Sequence, residues 1–184
     1  MKSAIILAVA MATGTVSVDK KVDVVNSTIK WTGHKVTGQH EGTIQLKEGV
    51  LNFDDKNQLT GGTFTIDMGT LTVTDLEGEM NGKLTGHLKS EDFFGVEKHT
   101  TSTFVITNVV GKDGKYKVTG DLTIKGITNP ITFDMMVKDN NTATANLKVD
   151  RTKYDIKYGS ASFFDGLKDK AIYDEFDLNV NLKF

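Results

Sequence analysis

The sequence predicts an all-β fold, an antiparallel barrel or sandwich of about eight strands with one short helix. Two observations carry this prediction. Apolar and polar residues alternate with a period of two in short runs, and glycine or asparagine turns separate the runs about every ten residues. Because each run has one apolar and one polar face, the pattern argues against a parallel sheet that is buried on both sides.

The first twelve residues resemble a secretory signal peptide. Lys2 precedes an apolar run at Ala4–Ala10 that is too short to cross a bilayer as a helix. Small residues then recur at a spacing that fits a cleavage site. We expect residues 1–12 to be removed and residues 13–184 to form one exported domain. An N-terminal strand or a disordered tag is the alternative.

The strands follow one another along the rest of the chain. A shift of parity at Glu48–Gly49 predicts a turn or a bulge within one of them. The last run is the cleanest, because Asp174 is the only polar residue on its apolar face. We interpreted Asp174 as part of a solvated strand end. The apolar rows are Ile29 and Trp31, Ile44 and Leu46, Leu51 and Phe53, Phe64 to Met68, Thr103 to Val110, Ala143 to Val149, and Ile172 to Phe184.

The clearest pattern is a hairpin predicted at residues 115–138, with a turn at residues 126–129. The apolar face of the hairpin holds Tyr116, Val118, Leu122, Ile124, Ile131, Phe133, Met135 and Val137. Gly120 stands in the same row and removes one side chain from that face. The missing side chain would allow another backbone to approach, the sheet to curve, or a ligand to occupy the space.

One segment has a helical period. Apolar residues recur there at every fourth position, and three glycines lie between them, each costing about 1 kcal/mol relative to alanine. We therefore expect a short helix within residues 76–94, mainly in the second half of this periodic segment. The recurring apolar residues are Leu76, Met80, Leu84 and Leu88.

Composition excludes several classes of function. The formal net charge is −2, and no basic tract occurs, so we expect no nucleic-acid partner. The absence of cysteine excludes disulfides, thiolate metal sites and a cysteine nucleophile. No serine lies in a G-x-S-x-G motif, no P-loop occurs, and no histidine pair has a zinc-binding spacing. We therefore expect no catalytic residues, no metal and no cofactor.

Four stretches of the chain resemble the YceI-like domain, in the order that the family has them. The likeness extends from about Val22 to Phe184, and Thr100, where members usually carry proline, is the departure. The resemblance implies an eight-stranded, lipocalin-like antiparallel barrel around an elongated apolar cavity. It also implies a long isoprenoid or fatty-acyl ligand and export to the bacterial periplasm. The four stretches are Ser27–Phe53, Gly86–Phe104, Tyr116–Phe133 and Val149–Ser160.

A cavity of this kind would be lined by the inward rows, although ordinary core packing is the alternative for each residue. A polar head group would need partners at the mouth, where Arg151 is our ligand-binding candidate and three histidines are further candidates. The alternative for Arg151 is an ion pair with Asp150 or Asp155. The hydrophobic candidates are Phe64, Ile66, Phe104, Ile106, Leu122, Ile124, Phe133, Met135, Leu147, Phe176 and Leu178, and the histidines are His34, His40 and His87.

The sequence thus predicts an exported barrel that carries or sequesters a lipid-like amphiphile without chemical change. An enzyme acting on such a lipid, and a structural or partner-binding barrel with a filled core, are the two alternatives. The sequence does not give the oligomeric state, and a dimer is one of the states that it allows.

Overall fold

The computed structural model describes residues 17–138 and 141–184, so the segment expected to be a signal peptide lies outside the described residues. Within them the chain forms nine strands, one α-helix and two short 3₁₀ turns. The strands are β1 (Val18–Lys21), β2 (Thr28–Lys35), β3 (Gly38–Phe53), β4 (Leu59–Val73), β5 (Thr101–Lys112), β6 (Lys115–Ile124), β7 (Ile127–Lys138), β8 (Thr142–Asp150) and β9 (Ile172–Lys183). Helix α1 (Gly78–Lys89) lies between β4 and β5, and the 3₁₀ turns are Arg151–Tyr154 and Lys168–Lys170.

The strands close into a barrel. From β2 to β9 each strand pairs antiparallel with its neighbours in sequence, and β9 pairs with β2 to complete a ring of eight. The predicted all-β fold, with an eight-stranded antiparallel barrel and one short helix, is confirmed. The short β1 lies outside the ring and pairs with the second half of β3. The parity shift near Gly49 is a bulge, since the β3–β4 register changes between Leu46 and Glu48.

The β6–β7 hairpin has a tighter turn than the sequence predicted. Lys125 and Gly126 both have positive φ, 51° and 75°, and Ile124 pairs with Ile127 directly across them. Two such residues form the turn whose twist matches that of antiparallel strands. The prediction of a four-residue turn is therefore wrong, and residues 127–129 belong to β7.

Gly120 is a position of close approach. A Cβ atom there would lie 2.5 Å from the Phe104 ring and 2.5 Å from the carbonyl oxygen of Val105. The neighbouring β5 also shifts register between Ile106 and Asn108, next to this point. The glycine thus accommodates an aromatic ring beside a bulge, and the interpretation of Gly120 as space for a ligand is wrong.

Helix α1 begins earlier than the glycines suggested. Its first turn is tied to the barrel by Asn81, whose Nδ2 donates to the carbonyl oxygens of Val73 at 2.8 Å and Leu76 at 2.9 Å. These bonds offset part of the cost of the glycines, and the prediction that only the second half is helical is wrong. No residue of α1 is fully buried, so the helix rests on the barrel rather than inside it.

The two ends of the barrel differ. One end carries α1, the β2–β3 and β6–β7 turns, and the long segment from Arg151 to Ala171, and we call it the α1 end. The opposite end carries the β3–β4 and β5–β6 turns and the last residues of β9.

Candidate ligand-binding cavity

The barrel encloses a cavity of about 250 Å³ whose wall consists almost entirely of apolar atoms. Every strand from β2 to β9 contributes to the wall, because inward side chains alternate with outward ones along each strand. The hydrophobic candidates all lie on this wall, and their contact with a ligand stays a prediction. They are Phe64, Ile66, Phe104, Ile106, Leu122, Ile124, Phe133, Met135, Leu147, Phe176 and Leu178.

Aromatic rings fill part of the interior. The Phe104 ring lies 6.3 Å from that of Phe64 and 5.5 Å from that of Phe133, and the Phe94 ring meets Phe176 edge-on at 6.3 Å. These contacts are ordinary core packing. The interior is therefore part packed core and part open space, and the alternative of a completely filled barrel does not fit.

Several wall residues escaped the sequence analysis as site candidates. Those on strands share the inward parity and could have been found by the same rule. The others come from α1 and the turn after it, where the period of two gives no signal. The strand residues include Ile29, Trp31, Ile44, Leu46, Met68 and Ile131, and the helix and turn contribute Leu84, Leu88, Phe93 and Phe94.

Polar side chains on the wall gather at the α1 end. The β2–β9 register shifts between Gly33 and Lys35, so residues 173–175 of β9 form a bulge opposite His34 of β2. Bulges at the rims of barrels redirect side chains. Here both Tyr173 and Glu175 reach the cavity wall, beside Lys35 and Arg151.

Arg151 is buried at this end, with 4% of its surface exposed. Its Nε donates to the Tyr173 carbonyl oxygen at 3.0 Å, Nη1 to that of Ile156 at 2.7 Å, and Nη2 to that of Ile172 at 3.1 Å. Nη2 also lies 3.8 Å from Oδ1 of Asp174. The guanidinium therefore joins the 3₁₀ turn after β8 to the start of β9, and burial lowers the pKa of Arg151.

The expected partners of Arg151 were wrong. Asp150 accepts hydrogen bonds from Thr152 instead, and Asp155 pairs with Lys157. The ion-pair partner is Asp174, so the interpretation of that residue as a solvated strand end is also wrong.

Asp174 is held as a carboxylate. Its Oδ2 accepts a hydrogen bond from the Ser162 hydroxyl at 2.5 Å, whereas Oδ1 is buried without a hydrogen-bond partner. Burial alone would raise the pKa of Asp174. The nearby hydroxyls of Ser160 and Ser162 and the charge of Arg151 outweigh burial and hold that pKa below its usual value.

The histidine candidates also have carboxylate partners. His34 and His40 lie on the cavity wall, with Nε2 of His34 2.7 Å from Asp177 and Nδ1 of His40 2.8 Å from Asp75. His87 lies outside that wall. In the described part of the chain, no three metal-ligating side chains gather into a possible metal site. No helix described there combines the length and apolar character needed to span a bilayer.

The family profile of the YceI-like domain matches residues 20–184. The chain is 34% identical over 91 residues to the UPF0312 protein plu2095 of Photorhabdus laumondii, covering 49% of this chain and 44% of that protein. It is 31% identical over 93 residues to protein YceI of Escherichia coli O157:H7, covering 50% and 46%. The matches thus span about half the length of these curated relatives.

Solved structures share the fold. BcnA of Burkholderia cenocepacia superposes with a TM-score of 0.65 at 24% identity, covering 88% of this chain and 98% of that one. A polyisoprenoid binding domain from Saccharophagus degradans gives a TM-score of 0.58 at 12% identity, covering 92% and 97%. At these identities the likeness establishes the barrel fold alone.

Proposed function

The chain belongs to the family of YceI-like domains, and from that premise we propose that it binds an amphiphile with a long aliphatic tail inside the barrel. The tail is of isoprenoid or fatty-acyl type, and the protein carries or sequesters it without chemical change. The observation behind this proposal is the cavity of about 250 Å³ with its apolar wall. The polyisoprenoid binding of the Saccharophagus degradans domain supports the choice of ligand class.

Such a wall suits a ligand that offers only apolar surface. Moving a tail from water into the cavity gains about 0.8 kcal/mol for each methylene group that is buried. No hydrogen-bonding group is needed along the tail, so shape and length determine the fit. Met135 on the wall has a flexible side chain that can adapt to different tails.

The polar head group then lies at the α1 end, where the polar wall residues gather. A guanidinium has five N–H groups, and three nitrogens of Arg151 each donate once to a backbone carbonyl. Arg151 lies on the cavity wall, so its positive charge favours an anionic head group nearby. Lys35 adds a second cation on the same part of the wall.

The contacts of the ionisable wall residues support a carrier role rather than catalysis. His34, His40 and Arg151 each lie within ion-pair distance of an aspartate, and these contacts hold their side chains in place. The apolar run at residues 4–10 supports export to the bacterial periplasm. Cell fractionation and the mass of the mature N-terminus test this part of the proposal.

The main test is native mass spectrometry of the purified protein, followed by organic extraction. A reproducible extra mass of an isoprenoid or acyl species is expected. Clean protein that takes up no added prenol or fatty acid would refute the proposal.

A cavity-filling variant tests where the ligand lies. Ala145→Phe adds a ring to the wall, and Thr144→Phe adds the same ring one residue away, outside the barrel. We expect Ala145→Phe to fold normally but take up at least tenfold less prenol, while the control binds normally. If the site were packed core instead, Ala145→Phe would lose roughly 1–3 kcal/mol of stability.

A further inference from the structure

Among the described residues, every strongly exposed tyrosine and phenylalanine lies at the α1 end. These residues are Tyr158, Phe163, Phe164 and Tyr173, with 47%, 50%, 52% and 55% of their surfaces exposed, and we call them the aromatic rim. The exposed aliphatic side chains Val36, Met80 and Ile127 lie at the same end. Within residues 17–138 and 141–184, no aromatic ring at the opposite end is exposed to this extent.

The rim is held in place by a structured turn. Ser160 is fully buried, and its carbonyl oxygen accepts hydrogen bonds from the backbone N–H groups of Phe163 at 3.2 Å and Phe164 at 3.0 Å. The neighbouring Ser162 donates to Asp174 at 2.5 Å. The segment is therefore anchored at its base while about half of each ring stays exposed, and neighbouring exposed apolar side chains can mark an interaction surface.

The rim adjoins the α1 end of the cavity, which we call its mouth. Tyr173 lies on the cavity wall, and its carbonyl oxygen accepts a hydrogen bond from Arg151. Tyr158 packs edge-on against His87 of α1, with 4.6 Å between the ring centroids. Leu84 of that helix lies on the cavity wall. A surface that covers the rim would therefore also cover the mouth.

We propose that the aromatic rim docks on the surface of a phospholipid bilayer, so that the amphiphile passes between bilayer and cavity without crossing water. This inference rests on the proposed function, because only an apolar cargo requires such contact. Phenylalanine inserts into the acyl boundary, and tyrosine prefers the interface itself.

Charge near the rim indicates how docking works. Residues 153–170 contain four lysines and three aspartates, so the segment is almost neutral. Lys157 lies over the Phe163 ring, 5.1 Å from its centroid, and pairs with Asp155. Docking therefore depends on insertion of the rings and does not require anionic lipid. A bilayer is favoured over a second copy of the chain because the rim includes Tyr173 of the cavity wall, at the end where the proposed function places the head group.

The test is flotation of the full chain with phosphatidylcholine vesicles. The double variant Phe163→Ser/Phe164→Ser removes two neighbouring rim rings that lie outside the cavity wall. The matched control, Val105→Ser/Val110→Ser, removes two exposed apolar side chains from β5, away from the mouth. We expect the wild type and control to float with the vesicles and the double variant to bind them at least roughly tenfold more weakly.

Binding of a short prenol in vesicle-free solution separates this inference from the proposed function. If the double variant binds the prenol as the wild type does and only vesicle binding falls, both stand. Equal flotation of the wild type and the double variant overturns the inference, whether or not the prenol binds. The inference is also overturned if the wild type is a dimer that does not float with the vesicles and the double variant is a monomer. Failure of the wild type to bind any prenol or fatty acid refutes the proposed function instead.

Discussion

Replacing Arg151 with methionine should destabilise the protein strongly. Methionine keeps much of the apolar stem but removes the three donors to the carbonyl oxygens of Ile156, Ile172 and Tyr173. It also leaves Asp174, whose Oδ1 already has no hydrogen-bond partner, without its neighbouring cation.

The size of the loss follows from these contacts. A hydrogen bond from a charged donor contributes about 1.5–3 kcal/mol net. The bond to Ile156 is buried, whereas those to Tyr173 and Ile172 are partly buried, so water can replace some of the latter. We expect a total loss of about 3–5 kcal/mol, typical of breaking a buried ion pair from one side.

Urea denaturation followed by circular dichroism measures this loss, with the slope compared between variants. Arg151→Lys should fall between wild type and Arg151→Met, because one nitrogen cannot serve three carbonyls. Lys148→Met, which breaks the exposed pair with Asp177, is the matched control and should change little. If Arg151→Met lost no more stability than Lys148→Met, the structural role assigned to Arg151 would be wrong.

Three further predictions concern packing and pH. Gly120→Ala should lower the free energy of unfolding by roughly 1–3 kcal/mol, because it forces a Cβ against Phe104. Gly82→Ala in α1 should raise the free energy of unfolding by about 0.5–1 kcal/mol, because the new Cβ meets nothing within 4 Å. Thermal or urea unfolding measures both changes. Burial and the charge of Asp150 raise the pKa of Tyr154 to about 12. Because the folded pKa lies above the unfolded one, the contribution of Tyr154 to stability is fully present below pH 10 and is lost as the pH rises toward the folded value. Tyr154→Phe should therefore flatten the fall in stability in unfolding curves measured at alkaline pH. Hydrogen bonds from Lys148 and His34 hold the pKa of Asp177 below its usual value. The contribution of Asp177 to stability is present above the pKa of the unfolded state and is lost as the pH falls through the pKa of the folded state. Asp177→Asn should therefore reduce the loss of stability during an acid titration. An acid titration of the variant that matches the wild type would contradict this.

The alternation of apolar and polar residues was sufficient to predict the strands and most of the residues on the cavity wall. Leu122, Phe133 and Leu178 were placed inward because a strand has a period of two, and the barrel keeps that period. The bounds of the turn at Lys125–Gly126 were wrong because the left-handed conformation of a lysine leaves no mark in the sequence.

Contacts across the chain could not be predicted in the same way. Arg151 pairs with Asp174 rather than with an aspartate close in sequence, because a bulge in β9 brings the two together. The start of α1 depends on the two hydrogen bonds of Asn81, which hydrophobic spacing does not report. Phe93 and Phe94 reach the cavity from a turn, where periodicity carries no information.

The pairing of β2 with β9 has a consequence for how the chain folds. Around the ring every other pairing joins strands that are neighbours in sequence, whereas this one joins Thr28 to Asn181. Contacts between such distant residues carry a high loop-closure cost and slow folding. We therefore expect the β2–β9 seam to form last during refolding and to lose its amide protection first in hydrogen exchange. Because Trp31 and Leu178 line the cavity on either side of this seam, a tail bound there would slow its opening.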